Sequence, residues 1–303
     1  MSNRTKGLLL AITGPAFWGL NSIAVDLLFK YNVDSQWFAT FRLITAGIII
    51  LGIAFAQNGK AIFTPFKSIK EIGRLLIFSL LGMFFVQYTY IMAIHAGNAA
   101  TATVLQFTNP IMIVIVLAVM KWRLPRRQDV IAIILAVAGT FLIATHGQIG
   151  ALAMSKLALF WGLMAAVGAV FYTLLPGKLV KKFGAITVSG WAMLIAGIAI
   201  NFVNPAWKNA PTFNWPIISI LSFSIIFGTA IAYLVFIQSL SYISPTVAST
   251  LGAVEPLIGT IFSVLLFHIA FGWIDALGAT LIVSTVFIQT MHSKKISPVD
   301  LGN

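Results

Sequence analysis

Apolar residues do not alternate with polar ones along this chain. They run together for about 20 positions at a time, and short polar stretches punctuate the runs. A bilayer core needs roughly 20 consecutive apolar residues per crossing helix. Ten such segments can be drawn, at roughly 7–29, 36–56, 73–95, 98–120, 128–146, 157–177, 185–203, 216–240, 245–267 and 273–291. Backbone groups in lipid must be satisfied within the segment, so each run predicts an α-helix. Stretches of strict alternation that would signal a transmembrane β-barrel do not occur.

The polar gaps carry the second signal. With a cytoplasmic N-terminus, the inner segments hold fifteen basic residues: Arg4 and Lys6; Lys60, Lys67, Lys70 and Arg74; Lys121, Arg123, Arg126 and Arg127; Lys178, Lys181 and Lys182; Lys294 and Lys295. The outer loops hold three, Lys30, Lys156 and Lys208. Cytoplasmic loops are enriched in Lys and Arg, so this bias supports ten spans, both termini inside, and residence in the cytoplasmic (inner) membrane. The first run lacks a small-x-small cleavage site and reads as the first helix, not a signal peptide.

A shift of 146 positions lays Gly82–Thr140 over Gly228–Val286 without a gap. Gly82 then meets Gly228, Ala102 meets Ala248, Pro110 meets Pro256 and Asp129 meets Asp275. The chain therefore divides into two five-helix repeats, 1–147 and 148–303. Five is odd, so the second repeat must run inverted to the first, as in many transporters. FWGL at Phe17–Leu20 returns at Phe160–Leu163, but in another register.

Composition narrows the chemistry. Of 303 residues, 59% are hydrophobic and 9% charged, against about 25% charged in soluble domains. The net charge of +12 sits between apolar runs, so it points to anionic lipid rather than nucleic acid. Cysteine is absent, which excludes disulfides and thiolate chemistry. His95, His146, His268 and His292 are scattered and lack metal-ligand spacing, so neither a metal nor another cofactor is expected. No GxxxxGK[ST] loop encodes ATP binding. A membrane-embedded enzyme would need clustered titratable groups at one depth, and seven acids with four dispersed histidines do not supply them. A channel is a third possibility.

Polar residues inside the apolar runs are the candidates for chemistry. Glu255 lies about 15 Å into the ninth helix at about 1.5 Å per residue. An acid at that depth faces a cavity or a partner, as a substrate contact or a proton-coupling group. Asn109 is its positional twin, and Gln106 lies three residues earlier. Pro110 and Pro256 cannot donate a backbone hydrogen bond, and matched interruptions in two halves are the best sequence pointer to a transport site. Gln87 and Tyr233 are also twins, with Tyr88, Tyr90 and Gln238 on adjacent faces. Trp18, Asn21 and Tyr172 complete the candidate substrate-binding set. Asp26 and Arg42 fall in the outer third and are expected to form a structural ion pair, with a carboxylate site at Arg42 as the alternative. Asp129 and Asp275 open the fifth and tenth helices, where the helix dipole favours an acid. Trp37, Trp207, Trp215 and Trp273 lie at span ends, as interfacial anchors do.

FWGLNSIAVDLL (Phe17–Leu28), FATFRLITAG (Phe38–Gly47) and the long segment Gly228–Leu266, with Glu255-Pro256 inside it, resemble the EamA domain of the drug/metabolite transporter superfamily in two tandem copies. The resemblance implies a ten-helix basket around a central cavity. Helices one, three, four, six, eight and nine surround the path, and five and ten sit outside. It also implies movement of amino acids, other metabolites or toxic compounds. Where the family usually places an acid at the close of the fourth and ninth helices, this chain has Arg123 and, beside His268, Ile269. The expectation is a secondary transporter of a neutral or zwitterionic solute such as an amino acid, with export favoured and multidrug efflux as the alternative. Its partners are a small molecule and the lipid bilayer, and it is expected to work as a monomer.

Overall fold

A computed structural model describes residues 2–96, 99–122, 124–148, 155–203, 205–267 and 272–291. Arg123, His268, Ile269, His292, Lys294 and Lys295, all singled out above, lie outside these residues, as does the side chain of Asp26. All regular structure among the described residues is helical.

Among the described residues, ten membrane helices follow the apolar runs closely. They are α1 (Asn3–Lys30), α2 (Ser35–Asn58), α3 (Ile69–Ala96), α4 (Ala99–Gln106 and Asn109–Lys121) and α5 (Arg127–Thr145). The second half holds α6 (Lys156–Leu174), α7 (Ala185–Val203), α8 (Trp215–Ser239), α9 (Pro245–Leu251 and Val254–Phe267) and α10 (Trp273–Met291). Polar caps start several of them: the Asp34 carboxylate accepts from the N–H groups of Gln36 and Trp37, and Asn214 caps α8 through the Ile217 N–H.

The halves are inverted, and glycine contacts make this visible. Along the α2–α7 seam Ile44 meets Gly197, Gly47 meets Leu194 and Leu51 meets Gly190. Numbers rise on one helix as they fall on the other, so the second helix of each half runs antiparallel to its counterpart. The contacts are reciprocal across the seam, as they are about a two-fold axis. A Cβ on Gly47 would sit 2.7 Å from the Leu194 nitrogen, and one on Gly197 2.8 Å from the Ile44 nitrogen. Small residues of this kind let membrane helices approach closely where lipid supplies no hydrophobic drive.

The other neighbours obey the same exchange. Helix α1 packs on α8 and α9, and α6 packs on α3 and α4. Gly14 lies against the Ala232 carbonyl, and Gly168 against Val86, the residue 146 positions before Ala232. Helices α5 and α10 pair outside this core. There His146 Nδ1 meets Asp275 Oδ1 at 2.7 Å, and Asp275 also accepts from the Gly272 N–H at 2.8 Å. Arg126 holds Asp129 at 2.9 Å. Both acids thus serve helix starts, as their positions suggest.

One expectation fails. Trp37 is 2% exposed, stacks on Phe41, and donates Nε1–H to the Ala206 carbonyl at 2.8 Å. It is a packed tie between the halves, because the loop after α7 folds over it. Trp207, Trp215 and Trp273 are at least 74% exposed, as interfacial anchors are.

Candidate functional site

Two helices lose their regular hydrogen bonding at matched depth. In α4 the break is at Phe107–Thr108, and in α9 at Gly252–Ala253. Each is followed within three residues by a proline, Pro110 or Pro256, in the first turn of the outgoing half-helix, where a missing N–H costs least. The Asn109 side chain donates to the Gln106 carbonyl at 3.0 Å, closing the gap in α4. Glu255 occupies the first turn of the outgoing half of α9, the end where the helix dipole favours negative charge.

Two further irregularities carry no proline. Helix α3 widens to π geometry over Phe78–Phe84, and α8 does so over Ile226–Ile231. The twin glycines Gly82 and Gly228 lie inside these turns. A Cβ on Gly82 would meet Phe78 and the Tyr172 backbone on α6, and a Cβ on Gly228 would run into the Asn21 side chain on α1. Thr229 Oγ1 donates to the Ser224 carbonyl at 2.9 Å, meeting one of the groups the wide turn releases. Such π turns concentrate at functional sites. The only sequence signal for them is the buried glycine pair.

Between these four helices lies a cavity of about 590 Å³. All nine candidate substrate-binding residues line it: Trp18, Asn21, Gln87, Tyr90, Gln106, Asn109, Tyr172, Tyr233 and Glu255. Helices α1, α3, α4, α6, α8 and α9 contribute, and α5 and α10 do not. Helix α2 also contributes, through Phe38, Ala39 and Arg42. Ser22, Thr173 and Ser249 line it as well, and reading outward from the named residues does not find them. Ser249 could have been found as the twin of Thr103, whose hydroxyl meets Tyr90 Oη at 3.0 Å.

The centre of the site is a hydrogen-bonded chain across the two halves. Arg42 Nη2 donates to Gln87 Oε1 at 2.6 Å. Gln87 Nε2 in turn donates to the Tyr233 hydroxyl, so the twin residues touch each other, as residues near a two-fold axis do. Tyr233 sits 4.8 Å from Trp18 and 5.6 Å from Tyr172 between ring centroids, edge-on to both. Asn21 accepts from the Ser224 hydroxyl, which fixes it to the π turn of α8. Tyr88 stacks on Phe84 away from this chain, and Gln238 pairs with Tyr242 at 3.5 Å. The proposed Asp26–Arg42 pair falls on an Asp26 side chain outside the described set.

The cavity reaches toward one end of the helices only. Its far lining is Phe29, Val33, Ser35 and His95, where α1 ends, α2 starts and α3 ends. At the opposite end Phe78, Tyr172 and Phe236 stack in sequence. Below them Glu71 of α3 bridges Arg74 at 3.0 Å and Lys182, on the connecting helix Gly177–Phe183, at 3.1 Å.

A chamber shared by two inverted halves and flanked by two broken helices defines a membrane transporter. The chain belongs to the EamA-like transporter family, which matches it twice, over residues 5–145 and 156–291. It is 33% identical over 299 residues to an uncharacterized inner membrane transporter, YicL, of Salmonella typhimurium, covering 97% of this chain and 98% of that one. An uncharacterized transporter of Synechocystis is 25% identical over 96% of this chain and 92% of its own. A WAT1-related chloroplastic protein of Arabidopsis thaliana is 23% identical over 90% of this chain and 66% of its own. A solved crystal structure superposes with a TM-score of 0.77 over 95% of this chain and 97% of its own, at 16% identity, a likeness of fold.

Proposed function

We propose that this transporter moves a small neutral or zwitterionic metabolite, an amino acid or a relative of one, across the cytoplasmic membrane by alternating access. Residues 1–147 and 148–303 are the two halves that rock, and the nine candidate residues named above, among those lining the cavity, form the binding site. The observation that carries this reading is the joining of Gln87 and Tyr233 at the seam between halves. A solute bound there touches both halves at once, so its binding energy can bias how they sit relative to each other. Charge asymmetry supports cytoplasmic termini. With that orientation the cavity reaches toward the outside, and the Glu71–Lys182 end is the closed cytoplasmic side. Glu255 is the residue proposed to couple protons to transport, or to contact the solute. Export is the favoured net direction.

Aromatic walls with few fixed charges favour solutes that carry an apolar part. The test is solute counterflow in proteoliposomes of purified protein. Preloaded, unchanged amino acid is expected to drive uptake of its labelled form against a gradient, with saturation. A chemically altered product would mean an enzyme, and unsaturable flux without counterflow would mean a channel.

A further inference from the structure

Several hydrogen-bond donors on residues around the cavity lack an acceptor, and one of them belongs to a full positive charge. Arg42 is the cation in the lining, and Glu255 is the acid among the described residues there. Among the described residues, the guanidinium donates from one arm, Nη2, to Gln87, and its Nε–H is buried with no acceptor. Trp18 Nε1–H and the Tyr172 hydroxyl are likewise buried without a partner and border the same cavity. Tyr233 accepts from Gln87, which leaves its own O–H free to point elsewhere. Among the described residues, no carboxylate bridges Arg42. A donor buried without an acceptor is costly, and more so when it is charged. The residues that carry them, Arg42, Trp18 and Tyr172, all line one chamber, so a small side-chain rotation on binding would offer these donors to an anionic oxygen pair.

We propose that Arg42, oriented by Gln87 and flanked by Tyr233, Trp18 and Tyr172, is the subsite for the carboxylate of the transported solute. This rests on the reading of the cavity as the transport site and makes a carboxylate the required group of its substrate, so that anionic as well as zwitterionic solutes fit. The planar fork of arginine matches a carboxylate geometrically, as lysine does not. Gln87 acts as a positioning residue: it occupies one arm of the fork and fixes the plane in which the remaining N–H groups lie. Glu255 lines the same cavity as Arg42 and Tyr233, so a cationic group on the same solute can face it. The solute class is a small carboxylate with an apolar body, with or without an ammonium group.

The test uses the full-length protein in detergent and four probes: L-phenylalanine, L-phenylalaninamide, 3-phenylpropionate and phenylethylamine. Affinity is read from the shift of the thermal unfolding midpoint with probe concentration. The two acids are expected to bind the wild type at least about tenfold more tightly than the amide and the amine, as one hydrogen-bonded charge pair implies. Arg42→Gln should erase that preference by weakening the acids, while the amine, freed of a like charge, binds no worse than before; Arg42→Lys should recover part of the preference. Should Arg42→Gln fail to fold, Tyr172→Phe and Tyr233→Phe remove single hydroxyls at constant ring shape, and each should weaken the acids alone by several-fold. Equal binding of amide and acid, or an undiminished acid preference in the folded variants, overturns the proposal. Counterflow supported by neutral or cationic solutes but by no carboxylate overturns it too and leaves the transport reading standing. If no solute of any class supports counterflow, both fall together.

Discussion

Glu255 and Gly228 show two ways in which a single residue acts here. Glu255 lines the cavity in the first turn of a half-helix, and no described side chain bonds its carboxyl. A charge at membrane depth costs roughly 2.5–3.5 kcal/mol on insertion scales, so an acid kept there without a protein partner is suited to a ligand or a proton. Glu255→Gln keeps the shape and removes the titration. Counterflow through this variant is expected to lose its dependence on pH, whatever its rate, and a pH profile identical to the wild type would end the coupling role. Gly228 acts by lacking a side chain. Gly228→Ala pushes a methyl into Asn21 and breaks the bond from Ser224, an overpacking cost of about 1–3 kcal/mol. Gly73→Ala, where nothing lies within 4 Å, should be neutral or stabilising. Thermal unfolding in detergent compares the two, and equal midpoints would contradict the packing account. At this scale much of the site was legible. Twin positions and membrane depth led to Gln87, Tyr233, Asn109 and Glu255, because symmetry and lipid restrict where polar groups can stand. Arg42 was expected to pair with Asp26 or to hold a carboxylate; it lines the cavity, and the Asp26 side chain lies outside the described residues.

At the scale of the element, the breaks in α4 and α9 are the parts with a job beyond spanning. Proline supplies the loss of a donor, and the turn falls two to four positions before it, at Phe107–Thr108 and at Gly252–Ala253. Pro256→Ala restores the donor and lets α9 run straight, which moves Glu255 relative to the cavity. Transport should fall at least about tenfold, the size of effect that misplacing a binding group by an ångström produces. Helical content by circular dichroism should be unchanged or slightly raised. Full transport by both Pro110→Ala and Pro256→Ala would show that the breaks are incidental. These interruptions were readable because proline announces itself. The π turns at Phe78–Phe84 and Ile226–Ile231 were not, since an added residue in a helix leaves its hydropathy unaltered. Trp37 misleads for a related reason: a tryptophan at a span end is read as an anchor, and only the fold reveals a loop above it.

For the whole molecule, duplication with inversion accounts for the architecture. The shift of 146 positions brought prolines, glycines and acids into register, and the antiparallel α2–α7 seam is its structural counterpart. Charge asymmetry and span count reinforced one another, so the ten helices were legible to within a few residues at each end. The conformation was not: no sequence feature says which end of the chamber is closed. Here Glu71, Arg74 and Lys182 join α3 to the second half at one end, and the cavity reaches Ser35 and His95 at the other. Alternating access requires the first contact to part as the second region closes. The absence of cysteine makes this directly measurable, because spin labels can be placed without first removing native thiols. Double electron–electron resonance would use one pair at Lys67→Cys and Lys181→Cys, at the Glu71 end, and another at Tyr31→Cys and Trp207→Cys, at the cavity end. On adding a transported solute, the populations of the two pairs are expected to shift in opposite senses, one distance lengthening as the other shortens. Distances that stay fixed at both ends while the same protein catalyses counterflow, or that change in the same sense, would contradict the rocking of two inverted halves.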